Sequence, residues 1–225
     1  MLIIAVRILF MKRLFLTSSV GTKGVAESIY RKLSPGKKLK TAFITTPVET
    51  EDEQKDLSWL DEDRDALNRA GFVTFDYTIS GRSMSQIRQD LADIDILYIS
   101  GGNEFFFREK CNEVNFDNFV HKFVASGKSY IGTSCGSIIA GTNMAPSLQL
   151  NDLNALTKPV DTHGFGLVNF TVLPHWGSTE FKERYLNQDS FKVMFDPAAP
   201  LIALNNYQYV EVEGDVFHLI DVRHS

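Results

Sequence analysis

Hydrophobic positions along the chain fall into short runs separated by amphipathic stretches. Arg13 to Thr17 (RLFLT), Leu39 to Thr45, Phe72 to Tyr77, Ile94 to Ser100 (IDILYIS) and Ser129 to Thr133 have strand length. IDILYIS is apolar almost throughout, the pattern of a strand buried on both faces. Between these runs, Val25 to Leu33, Ser83 to Leu91 and Phe105 to Ala125 read as helices, as does a long segment opened by the acidic stretch Glu49 to Asp65 and running to about Ala70. The acids cluster early in that segment, which suits a helix N-terminus, and the charge run forms a solvated face. Pro35-Gly36, Pro47, Gly71 and Gly127 punctuate the alternation. Strands alternating with helices at this spacing predict an α/β fold with a doubly wound, mostly parallel sheet.

Beyond Gly141 the pattern loosens. Thr142 to Phe165 carries scattered Asn, Pro and Asp and predicts loops with short strands. Val168 to Pro174 (VNFTVLP) is a further strand that ends on His175, and Ser178 to Leu186 a helix. Leu201 to Leu204, Tyr207 to Val212 and Val216 to Ile220 are three short strands, the last two joined by a Glu213-Gly214-Asp215 turn, so the C-terminal end is expected to be antiparallel.

Length and composition narrow this reading. With 225 residues, 44% of them hydrophobic and 23% charged, the chain forms one packed domain over 11–225. Residues 1–10 are very apolar but look like an N-terminal extension, with Met11 as the natural start. Arg7, Lys12 and Arg13 interrupt the apolar run, so no membrane span is expected there, and no basic stretch precedes it as in a secretory signal. A net charge of −5 gives no basic footprint for nucleic acid. Two cysteines, Cys111 and Cys135, form neither a disulfide framework nor a metal-binding spacing. They are expected as free thiols in a reducing, cytoplasmic compartment, and no cofactor or metal is implied.

The candidate chemistry centres on Gly132-Thr133-Ser134-Cys135-Gly136, a G-x-S-x-G between a readable strand and a helix that starts near Gly136. Glycines on both sides allow a sharp strand-to-helix turn that presents the Ser134 hydroxyl. Free N–H groups at the start of that helix face the same spot. In an open parallel sheet, ligands bind at the carboxyl ends of strands. Three groups fall at such ends: Gly101-Gly102-Asn103, Ser134 and His175. Ser134 needs a base. His175, after a buried strand and a proline, is the best placed of five histidines, with His163 in the loop THGFG as runner-up. His121, His218 and His224 read as structural or solvent-exposed. Gly101-Gly102 lets a backbone N–H approach a substrate carbonyl, and with the N–H of Cys135 this makes a two-donor oxyanion hole.

These residues resemble the peptidase E and cyanophycinase family of serine peptidases, over nearly the whole chain from Met11. The likeness rests on KRLFLTSS, ISGGNEFF, YIGTSCGSIIAG and LPHW, in that order. They are similar to the family's first strand, its GGNTF-like oxyanion loop, its G-x-SAGA elbow and its P-H histidine. The resemblance implies a flavodoxin-like sheet related to class I glutamine amidotransferases. It also implies a Ser134 nucleophile, a His175 base, oxyanion N–H groups from Gly102 and Cys135, and substrate contacts from Gly101 and Asn103. For the third member it offers either Asp152 or, on a late strand, Gln208, which could orient the imidazole without offsetting its charge. The implied substrates are small peptides, aspartyl dipeptides among them, whose carboxylate Arg184 or Lys182 could meet. Here Cys135 and Ser137 replace the elbow's usual alanines, and Glu104 the usual Thr of the glycine loop.

Two other readings fit parts of the pattern. Gln208 and Glu104 are also compatible with a non-peptidase member that binds a ligand or regulates. G-x-S-x-G with a Ser…Asp…His order also fits an α/β-hydrolase esterase, for which only His218 comes late enough to be the base.

Overall fold

The computed structural model describes residues 11–33, 36–50, 56–150, 153–179, 181–182 and 200–224. Strands β1 (Arg13–Thr17), β2 (Leu39–Ile44), β3 (Phe72–Tyr77), β4 (Ile96–Ile99) and β5 (Ser129–Thr133) pair in parallel in the order β3-β2-β4-β5-β1. A separate two-stranded parallel sheet joins β6 (Thr171–Leu173) to β7 (Leu201–Ala203). The main sheet reaches seven strands through β8 (Gln208–Glu213), antiparallel to β1, and β9 (Val216–Asp221), antiparallel to β8.

The period of two along the strands divides the core in two. Leu14, Leu16, Ile44, Leu97, Ile99 and Tyr130 point to one face. Phe15, Phe43, Tyr98 and Ile131 point to the other. The first face is covered by α3 (Met84–Asp90), α4 (Glu104–Val114), α5 (Phe116–Ala125) and the short α6 (Cys135–Ile138). The second is covered by α1 (Val25–Leu33) and α2 (Ser58–Ala70). Each large side chain buried this way is worth about 1.5–3 kcal/mol of transfer free energy, which is why a strand such as β1, buried on both faces, sits mid-sheet.

Several elements depart from the expectation. The helix predicted over Phe105 to Ala125 breaks at Asn115, which takes a left-handed φ of 56°, a conformation asparagine tolerates better than most residues. The break lets Phe116 meet both Phe107 and Phe119. It also lets the buried Arg108 of α4 grip Asp117 of α5 through two nitrogens, at 2.5 and 3.0 Å. Next, α2 begins only at Ser58, with the earlier Thr46–Val48 in a separate 3-10 turn. Finally, β8 and β9 form the expected antiparallel hairpin, but β7 leaves the main sheet to pair in parallel with β6.

This topology fixes where chemistry can occur. The parallel strands bring Ser18, Gly101 and Ser134, each just beyond a carboxyl end, to one edge of the sheet. Because β8 runs the opposite way, the residues that precede it, Asn205 and Asn206, reach that same edge. Leu204 N–H donates to the Leu173 carbonyl and Trp176 N–H to the Leu204 carbonyl, both at 2.9 Å. These bonds zip the segment carrying His175 onto the segment that leads to Asn206.

Candidate active site

Ser134 sits on a strained turn. Its φ of 50° and ψ of −108° lie outside the ordinary regions for an L-residue, a cost of order 1–3 kcal/mol that the surroundings must offset. They do so through hydrogen bonds to backbone carbonyls. Ser134 N–H donates to the Thr17 carbonyl at 3.1 Å, and Ser137 N–H and Ile138 N–H return to the Ser134 carbonyl at 2.9 and 3.0 Å. The Ser137 hydroxyl reaches the carbonyls of Thr17 and Gly132 at 2.7 and 2.8 Å, and the Tyr130 hydroxyl donates to the Gly136 carbonyl at 2.6 Å. The motif glycines serve close packing more than rotation: a Cβ on Gly132 would run into the Gly136 carbonyl, and one on Gly136 into the Ile99 carbonyl. The strain itself falls on the serine. The helix beyond is a single turn, Cys135–Ile138, shorter than the sequence pattern indicates.

His175 faces this serine. Its Nε2 lies 3.0 Å from Ser134 Oγ. His175 also takes a left-handed φ, 62°, and its N–H donates to Ser18 Oγ at 2.6 Å. On the other side of the ring, Nδ1 lies 2.9 Å from Asn206 Oδ1, which also accepts from Ser18 Oγ at 2.9 Å. Phe181 stacks on the imidazole, with centroids 4.3 Å apart and planes 13° from parallel.

The loop after β4 closes the third side. Gly102 has a φ of 126°, and a side chain there would strike the Pro47 carbonyl, so this backbone is open to glycine alone. Asn103 N–H donates to that carbonyl at 2.8 Å. The Asn103 side chain caps α4 by accepting from the N–H groups of Phe105 and Phe106, both at 3.0 Å. Gly101 lies between Ser134 and an aromatic wall: a Cβ placed on it would stand 3.5 Å from Ser134 Cβ and 3.0 Å from the ring of Trp59.

The site therefore brings together Ser134, His175, Gly101, Gly102, Asn103 and Cys135 from three separate segments. Asp152 and Arg184 lie outside the described residues; Lys182 is exposed. Gln208, one of the two imidazole partners that the resemblance implies, is engaged elsewhere. Its Oε1 accepts from Asn205 N–H at 3.1 Å and its Nε2 donates to Asp221 at 3.2 Å, so it braces the turn that carries Asn206. Cys135 is 1% exposed. Burial, with the Glu104 carboxylate nearby, pushes its thiol well above the usual range, so it stays protonated and unreactive. Glu104 itself is buried in the first turn of α4, not facing solvent. His121 Nε2 bonds the Phe165 carbonyl, His163 bonds Asp161 of its own loop, and His218 is exposed on the edge strand.

Two residues at the site escape a linear reading: Ser18 and Asn206. The strand-end rule, applied to KRLFLTSS, points at Ser18. Asn206 is reached only once the direction of β8 is known. Among the described residues, no group of three or more His, Cys, Asp or Glu side chains is arranged to hold a metal ion. No helix among them is long and apolar enough to cross a membrane.

Residues 14–220 match the family model of peptidase family S51. The chain belongs to that family. An S51-type likeness extends to curated proteins. An uncharacterized peptidase of Listeria monocytogenes is 29% identical over 77% of this chain and 82% of its own length. An uncharacterized peptidase of Pasteurella multocida is 26% identical over 91% and 95%. Peptidase E of Shewanella amazonensis is 26% identical over 68% and 65%. Among solved structures, a Listeria monocytogenes protein described as a peptidase E superposes with a TM-score of 0.80 at 24% identity, covering 94% of this chain and 98% of that one. A peptidase from an acI-B1 actinobacterium superposes at 0.72 and 20%, covering 94% and 88%. Family and fold thus identify the chain as a serine-type, peptidase E-like peptidase on a flavodoxin-like α/β sheet.

Proposed function

We propose that this S51 peptidase hydrolyses small peptides through Ser134 as nucleophile and His175 as general base. The observation that carries the reading is the 3.0 Å approach of His175 Nε2 to Ser134 Oγ, on a serine held in a strained and partly exposed turn. Ser134 Oγ attacks the scissile carbonyl carbon while its proton passes to Nε2. The oxyanion is met by the backbone N–H groups of Cys135 and Gly102, each such donor being worth roughly a hundred- to a thousand-fold in rate. The C–N bond then breaks as the imidazolium returns the proton to the leaving amine. Water, deprotonated by the same imidazole, releases the acyl group and restores the serine.

The loop Gly101-Gly102-Asn103 forms the floor on which the substrate carbonyl rests, and dipeptides with an N-terminal aspartate, which the family resemblance implies, are the first substrates to try. The test is a panel of Asp-X and other dipeptides offered to wild type, Ser134→Ala and His175→Ala. Wild type should cleave at least one, and each substitution should lower kcat/KM by about 10⁴ or more. Cleavage by Ser134→Ala at the wild-type rate would overturn the assignment.

A further inference from the structure

An aromatic wall stands beside the nucleophile. The connection from β2 to α2 lies at the carboxyl edge of the sheet, so Trp59, the second residue of α2, sits at the edge where β4 and β5 end. A single Cβ placed on Gly101 would stand 3.0 and 3.3 Å from Cζ3 and Cη2 of its indole, and 3.5 Å from Ser134 Cβ. The outer edge of the ring is thus one side-chain atom away from the nucleophile. The ring packs against the apolar core of the second face and is half-buried, so it is held in place and still partly open. The same connection supplies the Pro47 carbonyl that accepts from Asn103 N–H at 2.8 Å, so it fixes the glycine loop as well as the ring beside it.

In the proposed reaction the leaving amine faces His175, because Nε2 returns the proton to it. The residue that keeps the scissile carbonyl then turns away from His175, toward the other borders of Ser134. Gly101 has no side chain to fill that space, so the side chain of this acyl residue meets the indole across it. Cζ3 and Cη2 are hydrocarbon. They favour an apolar side chain, which buries area against them, and give a carboxylate nothing in exchange for its lost water. We propose that Trp59 is a specificity-determining residue for the acyl side of the substrate, and that this chain prefers peptides whose scissile carbonyl belongs to an aromatic or large aliphatic residue. The proposal rests on Ser134 and His175 acting as stated above. It departs from the N-terminal aspartate that the family resemblance implies.

A wall that touches substrate has a signature that a mere brace of the glycine loop lacks. The test measures kcat/KM for Phe-Ala, Leu-Ala, Ala-Ala and Asp-Ala with wild type, Trp59→Ala, Trp59→Phe and Ser134→Ala. In wild type, Phe-Ala and Leu-Ala should exceed both Ala-Ala and Asp-Ala by roughly ten- to two-hundred-fold. Trp59→Ala should bring Phe-Ala and Ala-Ala to within a few-fold of each other, and Trp59→Phe should keep most of the preference. Each ratio is taken within one preparation, so any unfolded fraction cancels, and the wild-type order tests the preference without a variant. If Trp59 only braces the loop, Trp59→Ala slows every substrate alike and the ratios stay as in wild type, which would overturn the proposal. A wild-type chain that cleaves Asp-Ala best, or that cleaves neither Phe-Ala nor Leu-Ala, would overturn it too, while an inactive Ser134→Ala leaves the nucleophile standing. Hydrolysis at the wild-type rate by Ser134→Ala would instead overturn the nucleophile, and this inference with it.

Discussion

The two halves of the candidate site are built by different means. The nucleophile's half is backbone: Gly132, Ser134, Gly136 and Ser137 lie within one short stretch, and Thr17 carbonyl and Ile99 carbonyl press against it from neighbouring strands. The base's half is side chain: Ser18, His175 and Asn206 meet across separations of 157 and 31 positions. Close-packed backbone tolerates almost no added volume, whereas a ring of side-chain hydrogen bonds can be opened without displacing the core. The first half thus couples stability to activity, and the second separates them.

The largest effect expected from this difference is at Gly132. Gly132→Ala forces a methyl group into the Gly136 carbonyl, which should cost about 3 kcal/mol or more and remove fluorophosphonate labelling together with it. Thermal melts and labelling followed in parallel check this. A variant that melts like wild type, or one that is destabilised yet labels normally, would break the contrast between the two halves.

A smaller effect lies behind the base. Asp63 of α2 is almost fully buried, accepting from Tyr98 Oη and from Gly21 N–H, both at 2.7 Å. Gly21 belongs to the same loop as Ser18. Burial raises this carboxyl to about 7, outweighing the two hydrogen bonds that favour its charged form. The folded chain therefore holds a proton that the unfolded chain releases near the ordinary aspartate value of about 4. The folded state binds more protons across that window, so this stabilisation is complete below about pH 4 and is lost as the pH rises to about 7. Asp63→Asn cannot titrate. Its stability relative to wild type should climb by on the order of a few kcal/mol from pH 4 to pH 7, read as the difference in urea midpoints. Parallel stability curves for the two proteins would contradict this.

The same contrast explains what could be read along the chain. The strands of the sheet and the elbow are local facts: apolar runs of strand length, and a G-x-S-x-G between strand and helix. His175 was reachable because it ends a buried strand. What failed to show was long-range. Asn206 stands at the site only because β8 is antiparallel to β1, and NNYQYV carries no sign of that direction. The break at Asn115 was hidden for a related reason. The apolar period continues through it, and the gain comes from Phe107–Phe116 packing and the Arg108–Asp117 pair, which form only when the two helices fold against each other. Neither the shortness of the elbow helix nor the parallel pairing of β6 with β7 is signalled by periodicity, because elements of three or four residues are too brief to show one.

The central claim is that Ser134, activated by His175, is the nucleophile. Its most direct test is the mass-spectrometric mapping of the adduct formed by a fluorophosphonate with the wild-type chain. One covalent adduct is expected, on the peptide containing Gly132-Thr133-Ser134-Cys135-Gly136 and on the Ser134 oxygen, absent from His175→Ala under the same exposure. An adduct on another residue, or one formed equally fast without His175, would contradict it.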